Sequence, residues 1–340
     1  MSAACGEVLR ATTADRLTGK RSPTSLMTRS PGAAVEVHLA PASIRSSLHH
    51  PAPIFHAMAR LLNSTALILA LLLTALALPL AAIEHVATPD LNVPPLDDGN
   101  ANLDAVLKRI VRPDGIDYAA LVADHADLDR YRAQLAACSM PMDAKQKKAL
   151  TLNAYHAWTL ATIAALLPSD HRAWPLWRIY DQGTASYSLW RRYDFELAHQ
   201  RFMLDDLDKD FIASFKDARL RCALWRGAWG GPALCNHPYN AAHLDEMLDA
   251  ATAAFISDPD HVWITTDTKH VSVPAFFQVD QDEFTPVGGI PQFLAIHGPH
   301  PLGVALGTGA ALVFAPINWR LDVSPTSGSA TSAAPAASGK

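Results

Sequence analysis

Apolar side chains recur at helical spacing from Asn100 onward, which predicts that the folded part of the chain opens with helices. The inward positions of the first helix are Leu103, Val106, Leu107, Ile110 and Val111. Pro113-Asp114-Gly115 then ends this helix with residues that favour a turn. A second helix is predicted from about Tyr118 to Ala137.

Residues 150–167 are apolar on almost every side, a pattern typical of a helix at the centre of a domain. Asp143 and Gln146 have the spacing of a capping box, which predicts where this helix begins. Pro168 ends it, because a residue that precedes proline is disfavoured in the α region. We therefore predict one central, buried helix.

Alternating polar and apolar positions predict short strands in the second half of the chain. Two β-hairpins are predicted, from 194–197 with 201–204 and from 261–265 with 269–273. Residues 219–225 also alternate, which favours a further half-buried strand, and a helix is predicted after Asn240 and a short one at 291–294. The order of elements favours an α+β fold, with N-terminal helices and one central buried helix packed on a small mixed or antiparallel sheet.

An uncharged run follows Met58-Ala59-Arg60 and extends from residue 61 to residue 83. We interpret residues 58–82 as a secretory signal peptide, with cleavage after Ala77 or, as a weaker option, after Ala82. The alternative is a retained membrane anchor, since the run is long enough to cross a bilayer. A signal behind residues 1–57 would work poorly, so we expect these to be a non-native or disordered leader and translation to begin at Met58.

Residues 90–323 remain as a single domain, large enough for a sizeable core. Residues 324–340 are mostly Ser, Ala, Gly, Thr and Pro, a composition that favours disorder. The net charge of −5 and the lack of a basic stripe argue against nucleic acid as a partner. A signal peptide predicts a periplasmic or secreted protein, with inner-membrane anchoring through 61–83 as the alternative.

Three cysteines, Cys138, Cys222 and Cys235, lie in the domain, and the sequence leaves open which two would pair in an exported protein. Spacings for a metal site are weak: His297 and His300 are separated by Gly-Pro, and the aspartates of 205–210 lack the glycine of a calcium loop. We expect no metal and no cofactor. Asp208 is instead expected to pair with Arg221 or Arg226.

Four segments carry motifs in a fixed order along the chain: Asp114-Gly-Ile-Asp-Tyr-Ala-Ala-Leu121, Leu152-Asn-Ala-Tyr-His-Ala157, Leu204-Asp-Asp-Leu-Asp-Lys209 and Ile317-Asn-Trp-Arg-Leu-Asp322. Together they resemble the motifs of the DUF547 family of uncharacterised domains, which often occur in exported bacterial proteins. The resemblance covers roughly residues 91–322. Four motifs in order, with matching gaps, are more specific than any one of them.

The resemblance also implies a catalytic set that this chain has lost. In the family, the stretch aligned with 219–234 typically reads Arg-Ile-His-Phe-Ala-Leu-Asn-Cys-Ala-Ser-x-Ser-Cys-Pro-x-Leu. Its His, Asn and Cys, with a Glu-His pair upstream, resemble a site in which an imidazole activates a thiolate. The replaced positions are Arg221 for His, Trp225 for Asn, Arg226 and Gly231 for the two Cys, and Asp208 and Lys209 for Glu-His.

Arginine is neither a nucleophile nor a base at neutral pH, so these replacements favour a protein without catalysis. Guanidinium groups beside an indole favour an anionic or planar ligand, or an envelope partner. The candidate binding residues are Asn153, His156, Asp208, Arg221, Trp225 and Arg226. Asn153 and His156 equally fit a buried hydrogen-bonding pair that holds neighbouring segments.

Two alternatives stay open. An envelope hydrolase or transferase could use a relocated thiol, for which Cys222, Cys235 and His237 are the candidates. A membrane-tethered interaction module is the other, if the run at 61–83 is not cleaved.

Overall fold

A computed structural model describes residues 84–97, 100–178 and 189–325, with the side chain of residue 176 excluded. The predicted leader, the predicted signal peptide and residues 326–340 of the predicted tail lie outside the described residues. The first helices are α1 (Ala101–Ile110), α2 (Tyr118–Ala123), α3 (Ala126–Ala137) and α4 (Ala144–Leu166). Between α1 and α2, β2 (Val111–Arg112) and β3 (Gly115–Ile116) form a small antiparallel ribbon.

The predicted second helix, from Tyr118 to Ala137, is two helices, and Asp124 separates them. Its backbone is extended, with φ −147° and ψ 100°, which ends α2. Its side chain then accepts a hydrogen bond of 3.1 Å from the backbone N–H of Ala126, the first residue of α3. A local side-chain bond to the backbone thus competes with helix continuation, as aspartate commonly does.

The predicted central helix is confirmed as α4. The Asp143 side chain caps it by accepting a hydrogen bond of 2.9 Å from the backbone N–H of Gln146. Every residue from Ala149 to Ile163 is buried, so this helix is surrounded by protein on all sides. The ring of Trp158 stacks on that of Phe195 with 4.5 Å between ring centroids, which ties α4 to the first sheet.

Both predicted hairpins are present. In the first sheet β4 (Tyr193–Leu197) pairs antiparallel with β5 (Gln200–Met203) and parallel with β1 (Glu84–His85). In the second, β7 (His270–Pro274) lies between β6 (Trp263–Ile264), which is antiparallel to it, and β8 (Ala311–Ala315), which is parallel. The described elements therefore form an α+β fold with small mixed sheets.

The predicted strand at 219–225 is wrong, because Arg219–Ala223 form a short α-helix. Alternation suggested one dry and one wet face, yet residues 220–225 are all buried. The backbone N–H groups of Leu220 and Arg221 bond to the carbonyls of Asp217 and Ala218, within the same turn. Because these residues have no solvent-exposed face, the alternation of residue types does not indicate a strand. The backbone N–H groups obtain their hydrogen bonds within the local turn instead.

The remaining helices are α5 (Leu189–Arg192), α6 (Leu204–Asp206), α7 (Arg219–Ala223), α8 (Leu244–Ser257), α9 (Phe276–Val279), α10 (Ile290–His297) and α11 (His300–Gly307). A π-helical turn, Leu207–Ile212, and a 3-10 turn, Ala213–Phe215, follow α6. Asn240 caps the 3-10 turn Ala241–His243, which leads into α8, and α10 confirms the predicted short helix. A further 3-10 turn spans Gln281–Val287.

In the part of the chain that the structure describes, two hydrophobic clusters form the core. The first surrounds α4 and includes side chains from α1, α3, α7 and α8. The second lies in the C-terminal part and contains Phe255, Phe276, Phe277, Phe284 and Phe293. Helix α7 contributes to both, with Leu220 and Ala223 in the first cluster and Cys222 in the second. None of the helices in the described ranges has the length and hydropathy that a membrane span requires.

Candidate functional site

Arg221 stands on α7 with its guanidinium enclosed by carboxylates. Its Nε donates a hydrogen bond of 2.8 Å to Oε2 of Glu283, and its Nη2 donates to the other oxygen of the same carboxylate. Its Nη1 donates to Oδ1 of Asp208, and Oδ2 of Asp280 lies 3.5 Å from its Nε. The Arg221 side chain is only 3% exposed. The forked contact with Glu283 is the strong, directional form of an arginine–carboxylate pair.

Arg226 lies just beyond α7 and contacts the same aspartate. Its Nη2 donates a hydrogen bond of 2.8 Å to Oδ2 of Asp208, so the predicted pairing of Asp208 is confirmed with both arginines. The Arg226 side chain also hydrogen-bonds to the hydroxyl of Tyr155. The indole Nε1 of Trp190 donates to that hydroxyl over 2.6 Å. Asp208 thus bridges two cations, and Tyr155 connects them to α4.

Burial and neighbouring charges shift the pKa values in this cluster in different directions. Burial acts to raise the pKa of Asp208, but Arg226 and Arg221 outweigh it and hold that pKa below its usual value. Burial raises the pKa of Asp280, and the nearby carboxylates of Asp208 and Glu283 add to the effect. Burial opposes the charge of Arg221, but Glu283 and Asp208 more than compensate and raise its pKa. The cluster therefore joins two guanidinium groups to three carboxyl groups, of which Asp208 has a lowered pKa and Asp280 a raised one.

The side chains of Asn153 and His156, on α4, form hydrogen bonds with backbone groups of Tyr239 and Trp225. The amide of Asn153 donates a hydrogen bond of 2.7 Å to the carbonyl of Tyr239 and accepts one of 2.9 Å from its N–H. His156 Nε2 accepts from the backbone N–H of Trp225 at 3.2 Å. Burial lowers the pKa of His156 to about 3, so the imidazole is neutral at physiological pH. Trp225 is fully buried, with its ring edge-on to His156.

The structure therefore brings Asp208, Arg221 and Arg226 together in one cluster, while Asn153, His156 and Trp225 form an adjoining set of buried contacts. Sequence reasoning missed Glu283 and Asp280, because they lie far along the chain from Arg221 and carry no motif. It also missed the hydroxyl of Tyr155, which lies between Asn153 and His156 on α4. Its position inside the Leu152–Ala157 motif was the one available signal.

The three candidates for a relocated thiol site differ in their surroundings. Cys222 is a free, buried thiol in the second hydrophobic cluster, and burial raises its pKa well above the usual value. Cys235 is buried in the first cluster and is not a free thiol. Since Cys138 is free as well, no disulfide joins Cys222 or Cys138 to Cys235. The imidazole of His237 is half-buried, and burial lowers its pKa.

A separate cavity of about 1220 Å³ lies between α1, α3, the start of α4 and the segment that leads into α8. His237 lines it, and so does the free thiol of Cys138. Sequence reasoning missed this cavity, although the Val93-Pro94-Pro95-Leu96 stretch that forms one wall is a visible irregular segment before the first helix. In the described ranges, no three His, Cys, Asp or Glu side chains are arranged to hold a metal ion.

Comparison with known proteins gives one finding. Residues 140–256 match the model of the family described as "Protein of unknown function, DUF547". The match contains α4, the Asp208 segment, α7 and most of α8. It includes Asn153, His156, Asp208, Arg221, Trp225 and Arg226, whereas Asp280 and Glu283 lie beyond it. No curated protein and no solved structure matches the chain. The part of this chain that carries its candidate site resembles DUF547, a family of unknown function.

Proposed function

We propose that this protein is a non-catalytic binding protein, and that residues 219–234, which align with the catalytic set that the family resemblance implies, now support its fold. The main support comes from Arg221, which stands where the family resemblance implies a histidine. Its guanidinium is hydrogen-bonded to Glu283 and Asp208. A buried arginine that is paired with carboxylates and fixed by a forked hydrogen bond stays protonated, so it cannot act as a general base or as a nucleophile.

The neighbouring groups support the same conclusion. His156 is neutral, and its Nε2 accepts the N–H of Trp225, so this lone pair is already in use. Cys222 points into a phenylalanine-rich cluster and is held as a thiol by burial, whereas a nucleophilic cysteine needs a lowered pKa and access. These contacts favour a structural role for α4 and α7 over an envelope hydrolase or transferase.

The arginine cluster also offers little to an anionic ligand. Arg221 has its donors on carboxylates, and Arg226 is 13% exposed and already bonded to Asp208. An incoming anion would have to displace a carboxylate that is better placed. We therefore assign the binding capacity to the cavity beside α1 and α3 and not to the arginines.

Thiol labelling tests the absence of catalysis. The reduced, folded protein is treated with iodoacetamide-alkyne at neutral pH, and the modified residues are mapped by mass spectrometry. We expect slow modification of the half-buried Cys138 and none of Cys222. The same protein in urea, where every thiol is accessible, is the control. Rapid modification of Cys222 or Cys235 that requires the folded state would overturn the proposal in favour of an enzyme.

We also propose that the protein is exported and acts in the periplasm or outside the cell, because residues 58–82 have the pattern of a signal peptide. Cell fractionation with N-terminal sequencing tests this. A soluble, processed chain that begins after Ala77 or Ala82 is the expected result. A full-length chain that stays in the membrane pellet at high salt would support the membrane-tethered interaction module instead.

A further inference from the structure

The large cavity beside α1 combines an apolar floor with an acidic rim. We infer that it binds an apolar ligand that carries a positively charged amine head group, in the way that an alkylamine would be held. The inference rests on the proposed binding function and names its ligand class. It uses none of the residues of the arginine cluster, so the two sites can be tested separately.

The walls of the cavity are held in place before any ligand arrives. On one side the buried side chain of Gln134 donates to the carbonyls of Pro94 and Pro95, at 3.0 and 3.3 Å, and accepts from Asn102 at 2.8 Å. On the other side Asn153 binds both backbone groups of Tyr239. Each wall is thus fixed by a buried amide, which lowers the ordering cost of binding.

The lining is mainly apolar. Its apolar members include Leu96, Ala101, Leu150, Tyr239 and Met247. Leu150, Tyr239 and Met247 are buried, whereas Ala101 is exposed, so the cavity extends from the surface to the core. A volume of about 1220 Å³ is sufficient for a ligand with a long hydrocarbon part.

The charged groups of the lining favour a cation over an anion. Among the described lining residues, Asp97 and Asp104 are acidic and Lys108 is basic, apart from the histidines. Lys108 forms an ion pair of 2.6 Å with Asp104, so the charge of Asp97 is left without a cation among the lining residues. Burial lowers the pKa of His237, so this imidazole is uncharged at neutral pH. A carboxylate head group would meet a net negative rim.

Two pairs of matched probes test the head-group preference. The neutral dye N-phenyl-1-naphthylamine is expected to bind with increased fluorescence, whereas its sulfonated relative 1-anilinonaphthalene-8-sulfonate is expected to bind at least roughly tenfold more weakly, about 1.4 kcal/mol. Dodecylamine should then displace the neutral dye at roughly one tenth of the concentration that dodecanoate requires. Equal displacement by the amine and the carboxylate would overturn the head-group inference.

Substitutions in the lining locate the site. Ala101→Trp and Ala242→Trp, on opposite walls and both exposed, should each weaken dye binding roughly tenfold or more by filling the cavity. Ala105→Trp lies on the same helix as Ala101, is equally exposed and does not line the cavity, so it should bind as the wild type does. Unchanged thermal unfolding midpoints would show that the variants are folded.

Asp97→Asn isolates the charge. The asparagine oxygen can still accept the 3.0 Å hydrogen bond that Asp97 Oδ1 receives from the N–H of Ala101. Neutral-dye binding should therefore be kept, while the preference for dodecylamine over dodecanoate disappears. Dodecylamine should also slow modification of Cys138 by N-ethylmaleimide in the wild type, since this thiol lines the cavity.

The outcomes separate the two proposals. Dye binding that is unaffected by Ala101→Trp and Ala242→Trp would place the ligand elsewhere and overturn the cavity assignment, with the binding function left intact. No binding of any of the four probes would overturn the cavity inference and the binding function together. Rapid labelling of Cys222 would overturn only the claim that the protein is non-catalytic.

Discussion

Arg221 is held by carboxylates from two separate parts of the chain, Asp208 before α7 and Asp280 and Glu283 near the second hydrophobic cluster. Removing it with Arg221→Ala would leave Asp280 and Glu283 buried without this cation, and Asp208 with Arg226 alone. We expect unfolding to become easier by about 3–5 kcal/mol, the usual cost of breaking a buried pair from one side. Urea unfolding measures this change.

A matched control for this measurement is Arg191→Ala. The exposed Arg191 pairs with Asp205 at 2.9 Å, and its side chain is half exposed. Surface pairs of this kind contribute about 0–1 kcal/mol, so the control should change little. A loss no larger for Arg221 than for Arg191 would mean that the buried cluster does not stabilise the fold.

The two aspartates of the cluster should respond to pH in opposite directions. The pKa of Asp208 is lowered in the folded protein by Arg226 and Arg221, against burial, so its stabilising contribution is present above its unfolded pKa of about 4 and is lost as the pH falls through the folded value. The pKa of Asp280 is raised by burial, so its ionised form destabilises the fold once the pH rises through the folded value.

Asp280→Asn should therefore stabilise the protein at pH 7, and this effect should shrink as the pH falls through the raised pKa of the wild-type carboxyl. Asp208→Asn should destabilise at pH 7, with an effect that shrinks under acid. Urea midpoints measured from well below pH 4 up to pH 8 test both signs. A loss of stability at pH 7 in Asp280→Asn would show that its ion pair with Arg221 outweighs its burial.

Asn153 fits the role of a clamp on the backbone of Tyr239, as one of the two alternatives from the sequence expected. Asn153→Ala would leave the buried N–H and carbonyl of Tyr239 without their partner. At about 1–3 kcal/mol for each of the two unsatisfied groups, we expect a loss of about 2–6 kcal/mol in chemical unfolding. Thr162→Ala on the same helix removes only a bond to the carbonyl of Trp158 and serves as a milder control. Equal losses would argue against the clamp.

At the scale of the elements, the side chain of Asp143 caps the N-terminus of α4. The carboxylate of Asp143 accepts the N–H of Gln146, so Asp143→Ala should cost about 1 kcal/mol in thermal or urea unfolding. Asp143→Asn keeps a good capping oxygen and should cost much less. If both substitutions cost the same, the loss of negative charge near the helix N-terminus would be the cause and the cap would not.

The elements also show how far pattern reasoning could go. The hairpin at Tyr193–Met203 and the central helix were predictable, because their hydrophobic periods match how they are buried. Helix α7 was not predictable, since its segment is buried on all sides and an alternation of polar and apolar residues there does not indicate which side faces solvent. The break at Asp124 depends on one side-chain bond, and the parallel pairing of β8 with β7 joins strands that are far apart in sequence.

The site shows the same limit at longer range. The pairing of Asp208 with the arginines was predictable, because charges of opposite sign stood close together in sequence. Glu283 was not, because only the packing of the second hydrophobic cluster brings it to Arg221. The cavity was not predictable either, since its walls come from four separate segments whose common property is that they do not fill the space between them.

For the whole molecule, the two hydrophobic clusters meet at α7, where Arg221 joins the Asp208 segment to Glu283. If this link couples the clusters, its removal should open the second cluster more than the first. The two free thiols of the described residues report on each side, because Cys222 packs in the second cluster and Cys138 packs against the first. Their labelling rates can therefore be compared in one molecule.

With excess 5,5′-dithiobis(2-nitrobenzoate) in native buffer, Cys138 of the wild type should react first and Cys222 only through rare opening. In Arg221→Ala we expect the rate at Cys222 to rise by roughly tenfold or more, equivalent to at least about 1.4 kcal/mol easier opening, while the rate at Cys138 changes little. Arg191→Ala should alter neither. Local opening of the second cluster exposes Cys222 alone. Equal acceleration at both thiols would therefore show that the two clusters unfold as one unit, and that Arg221 stabilises the whole domain instead of joining two parts of it.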